Sequence, residues 1–98
     1  MDFWRSPAYQ DFFNYLDTQG GFYYERWGDA PVHSIAANLF LKKEQIVFFD
    51  QIGYEHNPYT HCPRDKVAWK LGKCSCDQAR SFDYDEYSCL KKWDRLME

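Results

Sequence analysis

The sequence lacks three features that would each define a class of protein. Its 12 basic and 15 acidic residues are intermixed, with a formal net charge of −3, so no basic stripe exists for a nucleic-acid backbone, and nucleic acid is not an expected partner. No apolar run approaches the ~18 residues of a transmembrane helix. The start, DFWRSPAYQ after Met1, has neither the basic residues nor the apolar core of a signal peptide. Taken alone, the chain is expected to be soluble.

Cysteine is absent from the first half of the chain, and the four cysteines of the second half are Cys62, Cys74, Cys76 and Cys89. An even number among turn residues favours disulfides in an oxidising compartment. Three pairings are possible for four cysteines, and the sequence does not choose between them. Zinc and free buried thiols are the alternatives, although Cys-x-Cys at 74 and 76 differs from the Cys-x-x-Cys of structural zinc sites.

Aromatic residues, in contrast, are abundant. They make up 20% of the chain, as 8 Phe, 8 Tyr and 4 Trp, and hydrophobic residues make up 45%. This composition is typical of a folded protein. So many rings exceed what the core of a 98-residue chain needs, and two interpretations stay open: the rings line a ligand cleft, or they pack against further protein.

Two helices are predicted in the first half. The first covers 6–19, with Ser6 as N-cap, Pro7 in the first turn and Gly20-Gly21 at its end. Its apolar stripe is formed by Tyr9, Phe12, Phe13 and Leu16. The second begins after a capping Asp29 and ends near Lys42 and Lys43. Its buried face is predicted to contain Val32, Ile35, Ala36 and Leu39.

The apolar run Ile46-Val47-Phe48-Phe49 is predicted to be a short buried strand. A lone strand of this length cannot form a sheet, so it needs the β-prone 22–24 run or further sequence as a partner. Residues 50–63 are predicted to be a loop, and residues 64–83 a loop joined by cysteines. A closing helix is expected within 84–96, with Tyr87, Leu90 and Trp93 turned inward.

A charged cluster stands out between the two predicted helices. Glu25, Arg26 and Asp29 lie within five residues, with Trp27 among them. Carboxylates beside aromatic rings suit sugars, because a ring stacks on the C–H face while a carboxylate accepts hydroxyl hydrogens. The helix start adds a field that favours anions. The alternative is structural, with Asp29 as a cap and Glu25–Arg26 as an ion pair.

The remaining candidates are weaker. His33, on the second helix, is interpreted as a structural residue. His56, in a loop, could bind a divalent metal, although the residues alone favour a plain surface histidine. The adjacent pair His61-Cys62 resembles a catalytic Cys–His pair only superficially. Asp83-Tyr84-Asp85 has the Asp-x-Asp form of a metal motif but lacks a preceding apolar strand, so it is interpreted as a solvated helix start.

Several long motifs resemble the fungal alpha-1,2-mannosyltransferase family, the type II Golgi enzymes that extend mannose chains. They occur in one order along the whole chain: DFWRSPAYQDFFNYLD, GGFYYERWGDAPVHSIA, IVFFDQIGYEHNPYTHCP, then CSCD and FDYDEYSCLKKW. The resemblance implies a GT-A-like mixed α/β fold that binds GDP-mannose and manganese. It also implies transfer of mannose to the 2-hydroxyl of a mannoside, with retention at the anomeric carbon.

The resemblance also implies residue roles. His56, in GYEH, matches the family's metal-ligand histidine, and Asp29, in RWGDAP, matches a residue that contacts the acceptor mannose. Glu25, Arg26 and Trp27 share that motif and are expected to line the acceptor site. The family's Glu-Pro-Asp metal motif and its proposed catalytic glutamate are absent from this sequence.

Residues 1–98 are therefore predicted to be the C-terminal portion of a mannosyltransferase catalytic domain. The donor-binding portion and the membrane anchor are not in this sequence, and the chain is expected to be inactive alone. Two alternatives remain: a non-catalytic mannoside-binding module, and a small structural domain held by disulfides. The acceptor of the full enzyme, whether an N-glycan, an O-glycan or a glycolipid, is not predicted.

Overall fold

The computed structural model describes residues 1–97 and divides the chain into two compact units, Met1–Ile46 and Val47–Glu98. The helices are α1 Pro7–Thr18, α2 Gly21–Tyr24, α3 Asp29–Phe40, α4 Lys66–Leu71 and α5 Leu90–Leu96. The strands are β1 Tyr54–His56 and β2 Tyr59–His61. Short 3-10 segments cover Phe3–Arg5, Lys43–Gln45, Gln78–Arg80 and Phe82–Tyr84.

Helix α1 forms where the sequence predicts it, with the predicted cap and end. The Ser6 hydroxyl accepts a hydrogen bond from the Tyr9 backbone N–H at 3.3 Å, and Pro7 begins the helix, where no N–H partner is needed. Gly20 ends it with φ = 73°, a left-handed conformation that costs glycine little.

The 22–24 run is helical, so its predicted extended conformation is wrong. Once Gly20 has reversed the chain, the Tyr24 N–H donates to the Gly20 carbonyl at 2.9 Å, and the Glu25 N–H donates to Gly21 at 3.0 Å. One turn of helix satisfies these groups locally, whereas an extended run would need a partner strand.

Helix α3 begins one residue earlier than predicted, so the expected capping role of Asp29 is wrong. Gly28 occupies the N-cap position, and Asp29 is the first helical residue. Val32 and Ala36 are buried as predicted, but Ile35 and Leu39 are exposed, so the buried face is narrower than the sequence indicated. The helix ends at Phe40.

The core of the first unit is an aromatic cluster around the buried Tyr9. The Trp4 ring lies 5.0 Å from the Tyr9 ring, edge to face, and 4.7 Å from the His33 imidazole. Phe12 connects this cluster to Phe40, with ring centroids 5.9 Å apart. His33 therefore has a packing role, which supports its structural interpretation.

The second unit differs most from the sequence predictions. The 46–49 run is not a strand, and Val47, Phe48 and Phe49 are all more than half exposed. The sheet lies instead in the predicted 50–63 loop, where β1 and β2 pair antiparallel with His56 opposite Tyr59. The two-residue connection is Asn57-Pro58, joined by a cis peptide bond.

A disulfide between Cys62 and Cys76 confirms that cysteines hold the region after the hairpin, while Cys74 and Cys89 are free thiols. Cys62 is fully buried, and its N–H donates to the buried Ser81 hydroxyl at 3.2 Å. The region is not all loop, because α4 forms between the two bridged cysteines and is capped by Asp65.

The closing helix α5 lies within the predicted range. Leu90 and Trp93 are partly buried, but Tyr87 precedes the helix and is 78% exposed, so its inward placement is wrong. Within residues 1–97, no helix is long and apolar enough to cross a bilayer.

The described architecture is therefore mixed, mainly helical with one two-stranded sheet and one disulfide. More than half of the 20 aromatic side chains are exposed. Exposed aromatic side chains in this number are typical of a region that binds a ligand or packs against further protein.

The N-cap of α1 gives a first prediction. Replacing Ser6 with alanine removes the acceptor for the Tyr9 N–H and should lower the free energy of unfolding by about 1 kcal/mol. Ser34→Ala, on the exposed side of α3, is the matched control and should change it by less than about 0.5 kcal/mol. Urea unfolding curves of both variants measure the difference, and equal effects would contradict the capping role.

Candidate functional site

The turn between α2 and α3 carries the predicted acceptor residues. Glu25 ends α2, and Arg26 adopts φ = 55°, a left-handed conformation uncommon for a residue other than glycine. The Trp27 backbone N–H then donates to the Gly21 carbonyl at 3.2 Å. Within the described residues, Glu25 and Arg26 form no ion pair with each other, so both charged groups face solvent.

The Trp27 side chain packs at a defined position against Gly21 and Phe22. A Cβ atom on Gly21 would overlap the indole ring, so only glycine lets the ring approach this closely. Phe22 packs edge-on against the same ring at 5.9 Å. The indole is 39% exposed and lines an apolar cavity of about 250 Å³. The other lining residues are Phe12, Leu16, Pro31, Val32 and Ile35.

Asp29 lies at the N-terminus of α3 with an exposed carboxylate. Its Oδ1 accepts a hydrogen bond from the Ala30 N–H at 2.9 Å, which orients the group. The helix dipole stabilises negative charge at this end. Oδ2 has no hydrogen-bond partner within residues 1–97, so it can accept a hydrogen bond from a ligand hydroxyl.

His56 is the last residue of β1 and is exposed. Metal binding by His56 stays a prediction, because no group of three ligating side chains that includes it converges within the described part of the chain. Manganese prefers several oxygen ligands along with nitrogen. The residues of this chain therefore do not fit a complete manganese site, and at most His56 supplies one ligand to such a site.

The structure brings together a different group, formed by Asp50, His61 and Asp83, whose ligating atoms lie within 4.8 Å of one another. His61 Nδ1 is 2.8 Å from Asp83 Oδ2, and His61 Nε2 is 3.1 Å from the Asp50 carbonyl oxygen. Both ring nitrogens thus lie within hydrogen-bond distance of an oxygen atom, so the ring is held from two sides.

Arg64 supplies the positive charge on the other side of this group. Its Nε lies 3.4 Å from Asp50 Oδ1, and a terminal nitrogen lies 3.8 Å from Asp83 Oδ2. The guanidinium also stacks on the rings of Tyr84 at 5.0 Å and Phe48 at 5.6 Å. Asp50 Oδ1 is buried and makes no well-aligned hydrogen bond, so the Arg64 charge is its main compensation.

This arrangement favours a structural ion-pair network over a metal site. A cation would have to displace the N–H hydrogen from His61 and compete with the Arg64 guanidinium for both carboxylates. The network joins three separate segments, since Asp50 precedes the hairpin, His61 ends β2 and Asp83 lies 22 residues further along. It thereby positions the hairpin that carries His56.

Sequence reasoning missed this network. Asp83 was expected to be solvated, but it is 8% exposed and paired, so that interpretation is wrong. His61 is paired with a carboxylate and not with Cys62, whose sulfur is in the disulfide. No local signal could have found the pairing, because its partners are brought together only by the tertiary fold.

Comparison with known proteins places the chain in a family. The glycolipid 2-alpha-mannosyltransferase family matches residues 1–98. A glycolipid 2-alpha-mannosyltransferase of Saccharomyces cerevisiae is 56% identical over 93 residues, covering 95% of this chain and 21% of the relative. Glycolipid 2-alpha-mannosyltransferase 1 of Candida albicans is 56% identical over 96 residues, covering 98% and 22%. O-glycoside alpha-1,2-mannosyltransferase omh1 of Schizosaccharomyces pombe is 52% identical over 98 residues, covering 100% and 25%.

These matches define a class, the glycosyltransferases. Within it, the chain belongs to the glycolipid 2-alpha-mannosyltransferase family. The chain spans about a fifth to a quarter of the length of the curated relatives it matches.

The position of the Trp27 side chain gives a second prediction. Gly21→Ala should displace the indole ring and lower the free energy of unfolding by about 1–3 kcal/mol, as overpacking does. Nuclear Overhauser contacts between the Trp27 and Phe22 rings should be lost. Gly28→Ala is the control, because a Cβ there meets nothing within 4 Å, so the ring contacts should remain. Unchanged ring contacts in the Gly21 variant would contradict the direct packing of the indole on Gly21.

The ion-pair network gives a third. Asp83→Asn keeps the size of the side chain and removes its charge, leaving Arg64 and His61 without their shared partner. The free energy of unfolding should fall by about 2 kcal/mol or more, as for a lost hydrogen bond between charged groups. Asp94→Asn, on exposed α5, should change it by less than about 0.5 kcal/mol. If urea unfolding gave the same free energy of unfolding for both variants, the network would not stabilise the fold.

Proposed function

We propose that this chain forms the acceptor side of an alpha-1,2-mannosyltransferase catalytic domain with a GT-A-like fold. The enzyme would transfer mannose from GDP-mannose to the 2-hydroxyl of a mannoside, with retention at the anomeric carbon. The observation that carries the proposal is the Asp29 carboxylate, fixed at a helix start with one oxygen free to accept a hydrogen bond, in a chain of this family.

The chemistry of the α2–α3 turn supports an acceptor role. A carboxylate that accepts a hydroxyl hydrogen forms a charge-assisted bond, which orients a sugar more strongly than a neutral pair would. Trp27 offers a partly exposed ring close to it in sequence, and Arg26 and Glu25 add exposed donors and acceptors. Such groups can bind and orient the acceptor before the reacting hydroxyl is used.

His56 is proposed as one ligand of the manganese ion. When bound, a divalent cation offsets the negative charge of the departing diphosphate. The other ligands have to come from residues outside this chain, since the described residues do not complete the site. The role of the hairpin is to present the imidazole at a fixed position.

A secretory-pathway location fits the chemistry of the second unit. The Cys62–Cys76 disulfide is of the kind that persists in oxidising compartments, such as the Golgi lumen. We therefore assign the enzyme to the Golgi lumen.

A chimaera tests the proposal. The 98-residue chain alone should form no disaccharide from GDP-mannose, manganese and methyl α-mannoside. Substituted for the matching segment of the Saccharomyces cerevisiae relative, it should support transfer, because the two are 56% identical there. In the chimaera, Asp29→Asn should lower kcat/KM about tenfold to 100-fold, the effect of one lost charge-assisted bond. His56→Ala should weaken manganese activation by at least about tenfold.

Asp11→Asn and Gln51→Ala, both exposed, are the matched controls and should leave transfer unchanged. Circular dichroism would establish that each chimaera is folded. A folded chimaera without transfer, or Asp29 and His56 variants with full activity, would overturn the proposal.

A further inference from the structure

The second unit contains a cavity of about 580 Å³ beside the hairpin, a volume within the range of small-ligand sites. One wall is formed by four hairpin residues, Glu55, Pro58, Tyr59 and Thr60, and the other by six residues of the segment from Ser75 to Asp85. None of the sites described above uses this cavity.

An aromatic platform forms part of the cavity. The Tyr59 and Phe82 rings lie 4.5 Å apart with a tilt of 48°. Tyr59 is 54% exposed, so a face of the pair is available to a ligand. An exposed ring in a cavity that also carries polar groups suits a ligand with both apolar and hydroxyl-bearing faces.

The charged groups at the cavity restrict the ligand. Glu55, Asp77 and Asp85 face a single cation, Arg80, so the lining is net negative and disfavours phosphates. Within the described residues, the three carboxylates do not converge within 4.8 Å of one another as a group of cation ligands. Separated carboxylates can instead accept hydrogen bonds from several hydroxyls of one neutral molecule.

The walls are held in place before any ligand arrives. Cys76 is fixed by the disulfide to Cys62, and its carbonyl accepts a hydrogen bond from the Trp69 indole at 2.9 Å. Asp77 caps the next turn through the Ala79 N–H at 2.9 Å, and Asp85 accepts from the Tyr87 N–H at 2.9 Å. A preformed cavity loses less entropy on binding.

We infer that this cavity is a saccharide subsite, which binds a neutral hexose through the Tyr59–Phe82 platform and the surrounding carboxylates. The inference rests on the proposed function only for the identity of the sugar, which would be a mannose unit of the acceptor other than the one that reacts. The binding itself requires neither the metal nor the nucleotide.

Titration of the ¹⁵N-labelled 98-residue chain with α-1,2-mannobiose tests the subsite. Saturable shifts are expected at the amides of Thr60, Ser75 and Asp77, which line the cavity. Tyr59→Ala should weaken binding about tenfold by removing half of the platform. Tyr54→Ala is the matched control, since Tyr54 is an exposed tyrosine on the paired strand and its side chain does not line this cavity.

A second pair of variants tests the carboxylates without removing a ring. Glu55→Gln should weaken binding severalfold, whereas Glu86→Gln, at an exposed site outside the cavity lining, should not. Mannose 6-phosphate should bind more weakly than mannose, and manganese alone should give no saturable shifts at these amides.

Three results would overturn the subsite: no saturable shifts, equal losses from the Tyr59 and Tyr54 variants, or tighter binding of the phosphorylated sugar. The outcome is separable from that of the chimaera. A chimaera that transfers mannose while the titration is flat removes the subsite and leaves the proposed function. Sugar binding at these amides with an inactive chimaera does the reverse.

Discussion

The ion pair between His61 Nδ1 and Asp83 Oδ2, 2.8 Å long, is the contact on which the second unit depends. Its side chains are only 15% and 10% exposed, so each buried polar group needs the other as its hydrogen-bond partner. His61 ends the strand that begins with Tyr59, and Asp83 follows Phe82. The same pair therefore holds the Tyr59 and Phe82 rings close together, and its loss should disturb the cavity wall that they form.

Local signals in the sequence were sufficient where a few neighbouring groups decide the structure. Helix α1 followed from Ser6, Pro7 and Gly20 because a cap, a first-turn proline and a left-handed glycine act within one turn. The hairpin was missed because its strands have only three residues each and its connection, Asn57-Pro58, is not one of the glycine-containing dipeptides that mark two-residue hairpins. The apolar run 46–49 was wrongly predicted to be a strand, because hydrophobicity alone does not distinguish a buried strand from a segment with exposed rings.

The candidate site divides in the same way. Asp29 was identified because its role at a helix start and its motif are both local, and the family resemblance was confirmed over the whole chain. Asp83 was not, since its environment is set by His61 and Arg64 from distant segments. The free thiols at Cys74 and Cys89 show the same limit, because which cysteines pair is decided by where the chain brings them.

The two proposed ligand-binding residues differ in how much support they receive from their own neighbourhood. The Asp29 carboxylate is oriented by a hydrogen bond from the adjacent Ala30 N–H and by the dipole of α3. The His56 imidazole is exposed at a strand end, and its position depends on the hairpin and hence on the ion pair beneath it. Asp83 therefore acts on the position of the His56 hairpin through His61, whereas the orientation of Asp29 does not depend on that contact.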